Sequence, residues 1–474
     1  MEHYGILSLV PAICVILFAL KTRKTFEALI LGSVITFIIT KGFGFFTPWL
    51  DTLLEVCGDN MWYVIVFGLF GVFLILAEES KGAFAFSKLL LKWCTNQRKS
   101  LISTFIIGVV LFVDDYLDAL TSGAVMKPIC DKNKLPREAM AYVIDSTAAP
   151  MCVIVPISTW VIFYSGVFGD DASFAHLGSG MEIYLKSLPF IFYAWIALVL
   201  VFLFSMQILP PIGAMKKAYQ RVKETGKVYS DRSIELNSGA PQINSDVEYS
   251  DIEEQVRVKT QGIDLDEINT VKGVINFLAP LTLLVVLTII TGDILIAVVA
   301  AVALQFVLYV PTKTIGFDQF FKLCIKGFQN MIPMIFILIG AFMMQATSKE
   351  IGIANYVVEK LQHIMSPSLF PAITFLAVSS VSFITGSNWG VPALMVPIIF
   401  PLCIAIGADP YLTAAAIIGG GTFSSHICFY SDATVLTSIA SGCDNMDHSF
   451  SQAPYGFIGA GITFVVTLIL GFIL

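Results

Sequence analysis

Apolar runs of about 15–20 residues recur along the chain between short charged segments, the length of a helix crossing a bilayer, and no extended two-residue alternation marks barrel strands. The pattern predicts crossing helices at Ile6–Leu20, Phe26–Thr40 and Met61–Ala77. Lys21, Arg23 and Lys24 place the first loop in the cytoplasm by the positive-inside bias, while Asp51, Glu55 and Asp59 suit the outer side. Lys81, Lys88, Lys92, Arg98 and Lys99, interleaved with Phe84, Phe86, Leu89, Leu90 and Trp93, predict an amphipathic arm at the cytoplasmic interface. Lys132, Lys134 and Arg137 mark the next loop as cytoplasmic too. Residues 101–129 must therefore leave and return, and 29 residues are too few for two crossings of about 20 each. A re-entrant helical hairpin fits, its tip near Asp114–Tyr116. Ala141–Ser165 is then expected to cross as a helix broken at Asp145–Pro150 and again at Pro156, because proline removes a donor and clashes with the preceding turn. Leu188–Leu209 returns to the cytoplasm.

The second half repeats the first at a displacement of about 270 residues. Val274–Ile290, Ile294–Val310 and Ile332–Met344 answer the first three spans, and the amphipathic stretch Ile351–Leu361 answers the arm. Met395-Val396-Pro397 echoes Met126-Lys127-Pro128, and Thr385–Gly390 falls where the aspartate tip falls. Each half holds five crossings and a hairpin, and an odd crossing number inverts the second. The predicted fold is all-α: a polytopic membrane protein of two inverted five-crossing repeats, each with a re-entrant hairpin and a broken helix. The first repeat covers 1–211 and the second 273–474. Between them, 212–272 carries nine Lys/Arg and eleven Asp/Glu, read as a charged cytoplasmic linker, disordered or loosely helical.

Composition agrees: 56% of residues are hydrophobic, 13% charged, and mean hydropathy is +0.81, more apolar surface than a soluble fold of this length buries. Nine scattered cysteines, without metal-ligand spacing, read as small buried hydrophobes. Met1-Glu2-His3-Tyr4 lacks the positive start of a secretory signal, so the first apolar run is expected to be retained. Nothing supports nucleic-acid binding.

Against that apolar background, Phe112-Val113-Asp114-Asp115-Tyr116-Leu117-Asp118 stands out. One aspartate at a bilayer centre costs about 2.5–3.5 kcal/mol, so three within five residues need a cation or a proton as compensation. Sodium wants several hard oxygens. Asp114, Asp115, Asp118, Asp145, Ser146 and Thr147 offer them from the first half; Thr385, Ser387, Asn388, Ser431, Asp432 and Thr434 do so from the second. Asp115, Asp145 and Asn388 are the expected sodium ligands, and His426 is a candidate proton carrier. Sodium and proton would compete for one buried carboxylate and so couple their fluxes. Each residue also has a plainer role: Asp114 or Asp118 as a hairpin cap or a partner of Lys127, Asp145 and Asp432 as caps at helix breaks, His426 as a satisfied structural histidine.

The motifs Phe112–Tyr116, Lys127-Pro128 with Asp131-Lys132, Asp145–Pro150, Pro156–Trp160, Ser431–Leu436 and Asp447-His448 through Gln452–Tyr455 together resemble the NhaC-type Na+/H+ antiporter family of the ion-transporter superfamily. The resemblance covers nearly all of the chain outside 212–272. It implies a transport domain moving against a scaffold, commonly in a homodimer, in the plasma (bacterial inner) membrane, with sodium and protons as cargo and no resident cofactor. Two departures fall where a substrate would sit. Gly386-Ser387-Asn388-Trp389-Gly390 replaces the usual Gly-Thr-Ser-Trp-Gly, and Cys428-Phe429-Tyr430-Ser431 replaces Ser-Pro-Ile-Ser. They keep open a second expectation, a sodium-coupled carrier of a small organic acid or amino acid on the same scaffold. An intramembrane aspartyl protease would need paired carboxylates with a Gly-x-Gly-Asp element, which the sequence lacks, and an enzyme is not expected.

Overall fold

The computed structural model describes residues 3–22, 25–82, 85, 93–234, 270–291, 293–429 and 431–474. They form helices and turns, with no strand among them. In the first half these are α1 (Val10–Thr22), α2 (Thr25–Lys41), α3 (Phe46–Asp59), α4 (Met61–Glu79), α5 (Gln97–Val110), α6 (Asp115–Lys132), α7 (Arg137–Ile154), α8 (Thr159–Asp170), α9 (Gly180–Ser187) and α10 (Phe192–Ser205). After α11 (Gly213–Thr225), the second half gives α12 (Thr270–Thr291), α13 (Ile294–Tyr309), α14 (Phe317–Asn330), α15 (Ile332–Ile351), α16 (Ile353–Leu361), α17 (Phe370–Thr385), α18 (Gly390–Ile406), α19 (Pro410–Ile427), α20 (Asp432–Ser441) and α21 (Asn445–Gly471). Four described helices are long and apolar enough to cross a bilayer, and α7 with α8 and α9 with α10 make two more as pairs bent by 46° and 48°. The chain is a multi-pass membrane protein. Large apolar side chains on the outer faces, such as Ile289, Ile290, Val465 and Ile469, are exposed as a lipid-facing surface requires.

The order of elements recurs between the halves. One pair was not expected: α3 and α14, which stand in the same place before α4 and α15. Their exposed apolar positions are spaced by one turn, Phe46, Leu50 and Leu54 in one and Phe317, Phe321 and Ile325 in the other. Charge dominated the sequence reading of 51–59, whereas the apolar stripe decided the structure. Of the arm expected at 81–99, residues 83, 84 and 86–92 lie outside the described residues, and Arg98 and Lys99 fall in the first turn of α5.

The hairpin tip falls where it was expected, in the turn between α5 and α6. Of the two breaks expected in the next span, only the second is present. α7 runs unbroken through Asp145–Pro150, with Pro150 inside the helix, and the bend comes at 155–158 around Pro156. One proline forfeits one ladder bond, which buried neighbours tolerate; the stop is set where Ser158 caps α8 by accepting from Val161 N at 3.2 Å. Likewise α19 continues through Gly419-Gly420-Gly421 rather than baring their carbonyls. A Cβ on Gly420 would lie 2.8 Å from Val378 Cβ, and one on Gly421 2.3 Å from Tyr164 Oη, so the missing side chains admit α17 and α8. The halves lock together through a similar contact, since a Cβ on Gly123 of α6 would sit 2.7 Å from Ala440 Cβ on α20.

The start of the charged 212–272 segment is docked. From α11, Arg221 grips the buried Glu138 at 2.7 and 2.9 Å. The Val228 carbonyl accepts from Arg137 N at 2.9 Å, Ser233 Oγ accepts from Asp444 N at 2.8 Å, and Ser230 donates to Asp447. The part of this segment at 235–269 lies outside the described residues.

Candidate functional site

The hairpin of the first half delivers two aspartates with different partners. Asp114 caps α6: its Oδ1 accepts from Tyr116 N at 3.1 Å and Leu117 N at 3.0 Å, while Oδ2 faces Thr159 Oγ1 at 3.3 Å. The cap is one of the plainer roles the sequence left open, and Thr159, at the start of α8, was not foreseen. Asp118 lies one turn further on and is fully buried. Its Oδ1 accepts from Ser122 Oγ at 2.5 Å, and its Oδ2 has no hydrogen-bond partner. A Cβ on Gly108 would lie 2.8 Å from that oxygen and 2.8 Å from Thr147 Cγ2, so α5 has room for the carboxylate only because residue 108 is glycine. A lone carboxylate oxygen in this place costs on the order of 1–3 kcal/mol unless something charged or protonated visits it. Asp115 is buried as well, and all three aspartates lie within electrostatic reach of Cys152.

Asp145 takes partners on another helix. It and Thr147 are two apart on α7, about 200° around the helix, so Thr147 faces the hairpin and Asp145 faces α21. Asp145 Oδ2 accepts from Gln452 Nε2 at 2.9 Å and lies 3.6 Å from His448 Nε2. The partners seen for Asp145 thus lie on α21, whereas Asp114 is held at the hairpin tip. Among the described residues no three His, Cys, Asp or Glu side chains converge as a metal cage. Ser146 is buried, its hydroxyl unpartnered, and Thr147 Oγ1 bonds back to the Val143 carbonyl at 2.6 Å.

In the second half, the tip between α17 and α18 holds Asn388, whose Nδ2 donates to Ser425 Oγ at 3.1 Å. Thr434 Oγ1 donates to the Ser425 carbonyl at 3.1 Å. Thr385 Oγ1 bonds back to the Val381 carbonyl at 2.8 Å, and Ser387 Oγ accepts from Gly390 N at 3.2 Å, holding the turn. Ser431 is buried at the start of α20; the side chain of Asp432 lies outside the described residues. His426 has both ring nitrogens engaged, Nε2 with Tyr193 Oη and Nδ1 with the Thr422 carbonyl, each at 3.0 Å. It fits the structural role rather than that of a free proton carrier.

Two features extend from the second tip. Trp389 packs its ring 4.6 Å from Trp160 and 4.8 Å from Phe163, which bridges the second tip to the helix that starts at Thr159. A polar chain also runs from Asn388 through Ser425 and Thr434 to Ser438, which donates to the Thr434 carbonyl at 2.7 Å and meets His448 Nδ1 at 2.8 Å. Ser438, His448 and Gln452 went unassigned in the sequence, although His448 and Gln452 lie four apart and so share a helix face.

The comparisons agree with this architecture. The model of the Na+/H+ antiporter family matches residues 151–472. An uncharacterised protein of Haemophilus influenzae is 24% identical over 490 residues, 98% of this chain and 91% of its own. Among solved structures, the YdaH transporter of Alcanivorax borkumensis superposes with a TM-score of 0.62 at 11% identity, covering 98% of each chain. MtrF of Neisseria gonorrhoeae, described as illuminating a class of antimetabolite efflux pumps, gives 0.59 at 12% identity over 94% of each. These likenesses carry the fold, and the family match carries the membership: this chain is a membrane transporter of the Na+/H+ antiporter family.

Proposed function

We propose that the protein exchanges sodium for protons across a bacterial plasma membrane, using the hairpin carboxylates as the sodium site. The observation that carries this reading is Asp118, wholly buried with one oxygen held by Ser122 and the other unpartnered beside Thr147. Sodium bound there would gain Asp118 and neighbouring oxygens as ligands; a proton on Asp118 would neutralise it for the return stroke. Asp114 and Asp115 hold the tip and add negative potential. Asn388, Ser425 and Thr434 supply neutral oxygens from the other half, and Asp432 belongs to the same proposed set. Inverted halves would present the two tips to one another at mid-membrane, as in other carriers built from repeats. The family resemblance extends this reading to a homodimer. Proteoliposomes with a trapped pH dye test the exchange: an imposed sodium gradient alone should move protons, and its failure to do so would overturn the reading.

A second reading has its own observation. Trp160 Nε1, Trp389 Nε1 and Tyr164 Oη are buried donors without partners, grouped where the second tip meets α8. A small organic anion would satisfy such donors, and sodium would then ride with it. Proton or sodium movement that depends on an added organic acid or amino acid favours this alternative.

A further inference from the structure

A cleft of about 940 Å³ lies where α11 meets the start of α5 and the turn that closes α6, a size within the about 300–1,000 Å³ range of small-ligand sites. Three of its lining side chains are cations, Lys134, Lys216 and Lys223, and no lining residue is acidic. Lys216, Gln220 and Lys223 are spaced four and three apart, so they share one face of α11. Arg221 leaves by a neighbouring face to reach Glu138. Lys134 comes to the cleft from α6. Its N–H donates to the Asp131 carbonyl at 3.0 Å, Leu135 N donates to the Cys130 carbonyl at 2.8 Å, and the Lys134 carbonyl accepts from Gln97 Nε2 at 2.7 Å. This helix ending turns residue 134 to a φ of 53°, a left-handed conformation in which glycine is the easier residue; a lysine stands there instead. The three lysines are not neutralised within the fold. In the segments 97–99, 131–138 and 212–227 that build this end, ten Lys/Arg stand against three Asp/Glu, and Asp131 and Glu138 are already held by Arg137 and Arg221. Among the described residues none of the three lysines makes an ion pair. Like charges gathered around one cleft repel, and an anion held among them relieves the repulsion.

The cleft is also amphiphilic. Pro210, Pro211 and Ile212 give it an apolar wall, and just before them in the chain Phe202 and Ile208, at the end of α10, are 42% and 65% exposed. A free phosphate ion has no use for that wall, whereas a lipid uses both parts. The excess of Lys/Arg assigns this end to the cytoplasmic side, where anionic lipid is drawn to basic segments. We infer that the cleft binds the phosphate headgroup of an anionic phospholipid of the cytoplasmic leaflet. Lys134, Lys216 and Lys223 surround the phosphate, and the acyl chains run along Phe202 and Ile208. The site stands apart from the hairpin carboxylates and is independent of which ion is carried. A headgroup there ties α11 to the foot of α5 and α6. It thereby anchors the segment that reaches Glu138 through Arg221 and Asp444 through Ser233.

The test is lipid binding to the full chain in detergent, read by native mass spectrometry. Dioleoylphosphatidylglycerol, dioleoylphosphatidylcholine and inorganic phosphate serve as separate probes. Phosphatidylglycerol should bind, and phosphatidylcholine, which has a phosphate but no net charge, should bind much more weakly. A lysine at a membrane surface contributes about fivefold in affinity, so Lys134→Gln, Lys216→Gln and Lys223→Gln together should weaken phosphatidylglycerol binding about 100-fold. Lys132→Gln, Lys217→Gln and Lys227→Gln together remove the same charge from the same end but outside the cleft, and should leave binding nearly unchanged. Equal losses in the two triple variants would mean diffuse surface attraction and overturn the site. Inorganic phosphate that displaces phosphatidylglycerol at comparable concentrations would overturn the lipid assignment in favour of a soluble anion. The comparison of the two lipids uses wild-type protein alone, so a missing preference for the anionic one overturns the inference whatever the variants do. A second readout is the melting temperature, which phosphatidylglycerol should raise in the wild type and not in the cleft variant.

Discussion

Replacing Asp118 by asparagine probes the proposed sodium site most directly. The change keeps the shape, removes the charge and puts a donor in place of one carboxylate oxygen. Asp118 now accepts a 2.5 Å bond from Ser122 and points its other oxygen at the space beside Gly108 and Thr147. A hydrogen bond to a charged group is worth about 1.5–3 kcal/mol, and the ionic contact to sodium is of the same order or larger. At about 1.4 kcal/mol per decade, sodium affinity should fall roughly 10–100-fold. The amide also brings a buried donor that costs about 1–3 kcal/mol if left unpaired, so thermal unfolding in detergent must be recorded beside the binding curve. Radioactive sodium binding to purified protein reads the effect without any assumption about the co-substrate. A monodisperse Asp118→Asn protein with wild-type half-saturation would refute the reasoning. Gly108→Ala makes the complementary test: its methyl would lie 2.8 Å from the free oxygen, displacing the carboxylate without deleting a ligand, and should also weaken sodium binding.

Other outcomes follow from the same geometry. Gly123→Leu should separate α6 from Ala440 and destabilise the protein by about 1–3 kcal/mol, visible as a lowered melting temperature. Arg221→Ala would strand Glu138, whose side chain is 4% exposed; since Arg221 itself keeps 22% exposure, the expected loss is about 2 kcal/mol, below the about 3–5 of a fully buried pair, and Glu138→Gln in the same protein should recover part of it. Tyr164→Phe removes one orphaned donor beside the second tip, so it should leave sodium binding intact and lower transport only if an organic anion is carried, which solute counterflow would detect. Asp115→Asn should abolish sodium-driven transport in a protein that still inserts; wild-type rates would exclude Asp115 from the ion pathway.

Much of this protein was legible from oil and charge alone. Run length gave the class and most of the spans, because a bilayer core fixes how many apolar residues a helix needs. The short distance between two basic loops gave the turn between α5 and α6, and the three aspartates there were visible as buried charge in an apolar background. Local pattern failed where two signals competed. At 46–59 and 317–330 the charges hid an apolar stripe, and at Pro150 and Gly419–Gly421 residues that usually break helices stayed inside them, because neighbouring helices pack on those positions.

The composition of the centre was a tertiary decision. Nothing local says that Thr147 and Asp145 look in opposite directions toward different partners, since that depends on which helices flank α7. The approach of Asp145 to His448, 303 positions later, and the contact of His448 with Ser438 exist only once α20 and α21 are folded against α7. Sequence fixes which groups must lie in a low-dielectric medium. Packing alone decides which of them meet, because helices far apart in the chain supply the partners.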